Sequence, residues 1–79
     1  MKTEYDYIRF DLSRDTGKTT IWYIFNKRSN NFLGEIKWYG PWRSYCFCPI
    51  SHTVFNKGCM TDIIDFIDQL HKERKENDT

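Results

Sequence analysis

A chain of 79 residues and 9.6 kDa has room for one hydrophobic core and excludes a second domain. Six Phe, five Tyr and three Trp supply that core, because each buried ring withdraws roughly 150–250 Å² from water. A net charge of +1 is no electrostatic beacon, and no apolar run reaches the length of a membrane span.

The charge is unevenly placed: residues 1–58 carry +4 and residues 59–79 carry −3. A solvated surface with two halves that attract one another accounts for this without a nucleic acid. Residues 1–20 lack the continuous apolar core of a secretion signal. Three cysteines cannot all pair within one chain, and a bridge between Cys46 and Cys48 along one strand would be strained. Free thiols in a reducing cytoplasm are the expectation.

The run Tyr5–Leu12 alternates, with Ile8, Phe10 and Leu12 on one side and Tyr7, Arg9 and Asp11 on the other. This is the period of a half-buried strand. Ser13, Asp15 and Gly17 mark a turn. Thr19–Asn26 is β-branched and aromatic on both faces, which predicts an interior strand. Asn30 and Asn31 can take the left-handed conformation that a reversal needs. Third and fourth strands are predicted at Phe32–Tyr39 and Trp42–Cys48, joined through Gly40-Pro41, with Pro49 as a stop. Thr53–Phe55 has the composition of a short fifth strand.

From Cys59 to about Arg74 the period changes. Met60, Ile63, Ile64, Ile67 and Leu70 form an apolar stripe at offsets of three and four, widened by Cys59 and Phe66. Asp62, Asp65 and Asp68 precede Lys72 and Arg74, an order that suits the helix dipole, and Asp68–Lys72 is an i,i+4 pair. Asn56 is the natural N-cap. Residues 75–79 read as a frayed polar tail. The chain therefore predicts a two-layer α+β domain. In it, an antiparallel sheet of four strands, or five with Thr53–Phe55, over about residues 5–55 has one C-terminal helix, about residues 59–74, packed on one face.

The segment IKWYGPWRSYCFCP concentrates five aromatic residues around one turn. Either Gly40 supplies the positive φ of a II′ turn or the loop is longer. An even-length loop places Trp38 opposite Arg43, Ile36 opposite Tyr45 and Gly34 opposite Phe47, sharing a face with Phe32. A three-residue loop would instead set Trp38 against Trp42. In the first register the helix side takes Phe32, Ile36, Trp38, Tyr45 and Phe47, with Arg43 over Trp38 as a cation–π pair. Lys37, Tyr39 and Trp42 then remain on the open face. Lys37, Tyr39, Trp42, Arg43, Tyr7 and Arg9 are the candidate binding residues, since large aromatics beside cations favour recognition.

Chemistry of other kinds finds little support. Gly17-Lys18-Thr19 resembles the end of a phosphate-binding loop, but that motif requires a glycine where Leu12 stands. Cys46, Cys48, His52 and Cys59 are acceptable zinc ligands in the wrong spacing, so no metal or other cofactor is expected. Cys59 at a helix start with His52 nearby lacks a third orienting group, and His71 suits a dipole partner better than a base. Enzymatic activity is not expected.

The residues Leu33, Gly34, Ile36, Trp38, Trp42, Arg43, Tyr45, Phe47 and Pro49, followed by Val54, Phe55 and Cys59, form a distinctive pattern. It resembles a group of small, largely uncharacterised proteins of bacteria and their phages. The resemblance covers a little over half the chain, implies a phage or phage-derived origin, and brings no catalytic residues with it. The leading expectation is a protein-interaction module whose partner is another protein or a second copy. The alternative is a nucleic-acid binder in which Lys37, Arg43, Lys27, Arg28 and Arg9 hold phosphates. Neither a membrane nor a nucleotide is expected as a partner.

Overall fold

A computed structural model describes residues 1–77, with side chains through Arg74. Four strands, β1 (Ile8–Asp15), β2 (Thr20–Asn26), β3 (Phe32–Tyr39) and β4 (Ser44–Pro49), form an antiparallel sheet in sequential order. One helix, α1 (Lys57–Asn77), lies on one face of the sheet. The fold is thus the expected α+β, two-layer arrangement. Thr53–Phe55 adds no strand. Phe55 turns inward instead, its ring perpendicular to Phe47 at 5.0 Å. The helix starts before Cys59 and continues past Arg74; of the expected tail, residues 78–79 lie outside the described residues.

Local chemistry explains the elements. The β1–β2 turn is closed by Thr16 N–H donating to the Thr19 carbonyl, with Gly17 at φ 88°. The Gly-Lys-Thr sequence is therefore a hairpin tip. Asn30 takes φ 62° at the β2–β3 turn, where the Asn26 side-chain oxygen accepts from the N–H groups of Arg28 and Ser29. Asn56 caps α1 through its side-chain oxygen, which accepts the Cys59 N–H at 2.8 Å.

β1 starts at Ile8, later than its alternation suggests, because the chain folds back on itself ahead of it. The N–H of Tyr5 donates to the Ile8 carbonyl and that of Phe10 to the Thr3 carbonyl. The N-terminal segment therefore covers the first half of the β1 edge. Tyr5 then reaches the helix, its hydroxyl donating to Asp65 at 2.6 Å and accepting from Gln69 at 2.9 Å.

Between the layers, Ile8, Phe10, Ile24, Ile36 and Tyr45 of the sheet side meet Ile63, Phe66 and Leu70 of α1. The Phe66 ring stacks on Phe10 at 4.0 Å and meets Trp22 edge-on at 5.0 Å. The buried stripe is centred on Phe66, so it excludes two residues of the expected stripe: Met60 and Ile64 are exposed. The expected Asp68–Lys72 pair is not formed either.

The β3–β4 register departs from the expected one by two residues. Trp38 pairs with Tyr45, Ile36 with Phe47 and Gly34 with Pro49. The loop is longer than two residues: Gly40–Trp42 form a single 3-10 turn and Arg43 closes it at φ 50°. A slip of two keeps every side chain on its face, so the assignment of Ile36, Trp38, Tyr45 and Phe47 to the helix side holds. Arg43 does not cover Trp38. Arg74 does, its guanidinium carbon 4.2 Å from the ring centroid. Phe32 also departs from expectation. A β-bulge at Leu33 sets Phe32 opposite Phe25 and so turns it to the face away from the helix.

Candidate functional site

The uncovered face of the sheet can be built from the register row by row. Arg9, Phe25 and Phe32 form one row; Asp11, Tyr23, Glu35 and Cys48 the next; Lys37 with Cys46, and Tyr39 with Ser44, complete it. Toward the Arg9 end lies an aromatic trio in which Tyr23 lies 5.1 Å from Phe32 and Phe25 lies 5.7 Å from Phe32, centroid to centroid. Such tilted and edge-on contacts suit the ring quadrupoles. The trio escaped the sequence reading, although the odd positions Ile21, Tyr23 and Phe25, opposite in phase to Trp22 and Ile24, carried the signal.

Tyr39 and Trp42 form a second cluster at the hairpin tip. Their rings meet edge to face at 5.2 Å and 84°. Trp42 is 73% exposed and Tyr39 43%. The 3-10 turn produces this display, because Pro41 fixes its own φ and the left-handed Arg43 returns the chain to β4.

The six candidate residues do not converge on one point. Arg9 stands in the Phe25–Phe32 row, and Tyr39 lies seven residues farther along β3, about 23 Å at the strand rise. Tyr7 sits at the Arg9 end, exposed beside a shallow hollow of about 480 Å³ that it lines with Asp6, Lys27 and Arg28. Lys37 lies between the two ends. The face is a strip with an aromatic cluster near each end.

Two of its cations are already engaged. Arg9 pairs with Asp11 at 3.3 Å, donates to the Asn30 side chain at 2.7 Å and rests over the Phe25 ring at 4.7 Å. Lys37 pairs with Glu35 at 3.3 Å. Each of these cations therefore sits beside a carboxylate of its own strand. Arg43 makes no ion pair among the described residues.

The sheet's edges are partly closed. On β4 the outward N–H of Tyr45 donates to His71 Nε2 at 3.2 Å, and Pro49 has no N–H to offer. His71 is thus a half-buried guard of the edge strand, a role the sequence reading did not foresee. The N-terminal segment lies along β1.

Elsewhere, a polar groove of about 560 Å³ runs between the β1–β2 turn and the end of α1, lined by Lys18, Thr20, Glu73 and Arg74 among others. Arg74 crosses it to donate to the Lys18 carbonyl at 3.1 Å. Cys46 and Cys48 belong to the open face, whereas Cys59 packs against the core from α1. Among the described residues, no three His, Cys, Asp or Glu side chains come together as metal ligands. No helix in that range is long and apolar enough to cross a membrane.

Fold and face together define a small two-layer α+β protein whose sheet presents an aromatic strip that its own chain leaves open. The chain belongs to the same family as an uncharacterised 9.3 kDa protein of Acholeplasma phage L2. The two are 39% identical over 72 residues, spanning 90% of this chain and 92% of the phage protein. No family model matches the chain, and no solved structure matches it.

Proposed function

We propose that the protein is a small non-enzymatic interaction module, a phage or phage-derived accessory factor that binds a host protein through the open face of its sheet. The observation that carries this reading is the exposed Tyr39–Trp42 pair, an indole and a phenol held out by a turn that buries neither. Tryptophan and tyrosine dominate binding hot spots because they give up large area at little entropic cost. The Tyr23–Phe25–Phe32 trio extends the apolar strip.

Two further features support a protein partner over a nucleic acid. Arg9 and Lys37 each stand beside a carboxylate, Asp11 and Glu35, whose negative charge repels a phosphate backbone. The blunted edges disfavour strand addition, which leaves the face as the natural contact.

Affinity capture from a bacterial host lysate, with wild type and Trp42→Ala compared, tests the reading. A partner held by the wild type should be depleted about tenfold or more by the substitution. Capture that survives Trp42→Ala undiminished counts against it. A gel shift with single- and double-stranded oligonucleotides at low salt provides the contrast: binding that falls steeply with salt favours the nucleic-acid alternative.

A further inference from the structure

The side of α1 turned away from the sheet carries apolar residues that its own fold does not use. Ile64 precedes the fully buried Phe66 by two residues, about 200° around the helix axis, so it points away from the core. It is 60% exposed, and Met60, one turn earlier, is 49% exposed. Lys57 and Asp68 share this outward side, since they stand nine and two residues from Phe66, about 180° and 200° around the axis. Neither forms an ion pair among the described residues.

The order along the helix is Lys57, Met60, Ile64, Asp68. Opposite charges therefore flank an apolar pair. The midpoint of Lys57 and Asp68 falls within about half a residue, roughly 0.75 Å of rise, of the midpoint of Met60 and Ile64. A two-fold axis through that point, relating two antiparallel helices, would satisfy both features at once. Met60 and Ile64 of each copy would meet at the centre, and each Lys57 would lie level with Asp68 of the other. A parallel arrangement would instead set like charges side by side.

We infer that this side of α1 is a self-association surface whose occupant is a second copy of the chain, docked antiparallel about a two-fold axis. Such a contact is isologous and closed, so it yields a dimer rather than a filament. It places the two helix layers back to back and both open sheet faces outward. The dimer would therefore present two aromatic strips, with the avidity that two linked sites confer.

Sedimentation equilibrium of the full chain over a range of concentrations tests the inference. The apparent mass should rise from 9.6 kDa toward twice that value. Ile64→Asp should weaken association at least about tenfold. Lys57→Glu and Asp68→Lys should each weaken it severalfold, and the double variant Lys57→Glu/Asp68→Lys should restore it. All three substituted positions on α1 are exposed, so circular dichroism should show an unchanged fold. A strictly monomeric profile up to about 1 mM would overturn the inference. So would association that survives Ile64→Asp but is lost in Trp42→Ala, since the open face would then be the contact, or a double variant no better than the weaker single one.

Discussion

His71 Nε2 accepts the backbone N–H of Tyr45 at 3.2 Å, tying a helix side chain to the outer edge of the last strand. A nitrogen that accepts here is unprotonated, and no apolar residue can replace it. His71→Leu should therefore leave that N–H without its protein acceptor and reopen the β4 edge. The expected cost is about 1–2 kcal/mol, read from the urea midpoint. Light scattering on warming should also rise, because an uncovered edge strand recruits other strands.

Gly34 sits where β3 crosses closest to the end of β4. A Cβ added there would lie 2.6 Å from the Cys48 carbonyl oxygen and 2.8 Å from the Pro49 Cα. Both are backbone atoms, so neither can rotate away. Gly34→Ala should destabilise the protein by about 2 kcal/mol or more, whereas Gly40→Ala, which meets nothing within 4 Å, should be close to neutral. Paired denaturation curves would show the contrast.

Alkaline pH should weaken the fold through Tyr5. Burial first, and then the hydrogen bond and negative charge of Asp65, push its hydroxyl well above the ordinary value of 10.0, with Gln69 opposing. In the unfolded chain the phenol loses its proton near pH 10, while in the folded chain it keeps it. The unfolded state then binds fewer protons, so stability falls as pH rises. The contribution is present in full below pH 10 and is lost as pH climbs beyond it. Urea midpoints should hold up to about pH 10 and decline above it, and Tyr5→Phe should flatten that decline.

Two tryptophans separate stability from recognition. Trp38 packs against Tyr45 at 5.3 Å and under Arg74 at 4.2 Å, whereas Trp42 touches Tyr39 from an exposed turn. Trp38→Ala should cost about 3 kcal/mol. Trp42→Ala should change the denaturation midpoint by no more than about 0.5 kcal/mol, so any binding it loses reflects contact rather than misfolding.

Much of this arrangement was legible in the residues. Phe32–Tyr39 reads as a strand between two turn signals, and the observed β3 has those bounds. Asn56 advertised the start of α1, and a lone amphipathic helix implied a face left bare. The β3–β4 register was not legible, because it depends on Arg43 adopting a left-handed conformation, which residue type alone does not announce. Parity protected the face assignment, since a slip of two moves no side chain across the sheet. The bulge at Leu33 had no such protection, and it carried Phe32 to the other side. It is a feature of the β2–β3 pairing, which the alternation of β3 alone does not announce. The edge role of His71 is hidden for the same reason: the bond spans 26 residues.

The central claim is that a partner meets the open face of the sheet. Photo-cross-linking tests it most directly, with p-benzoylphenylalanine introduced in place of Tyr23 at the middle of that face or in place of Thr61 on the exposed side of α1. In a host lysate the Tyr23 position should yield a discrete adduct with a host protein and the Thr61 position none. A host adduct from Thr61 with nothing at Tyr23 would contradict the account.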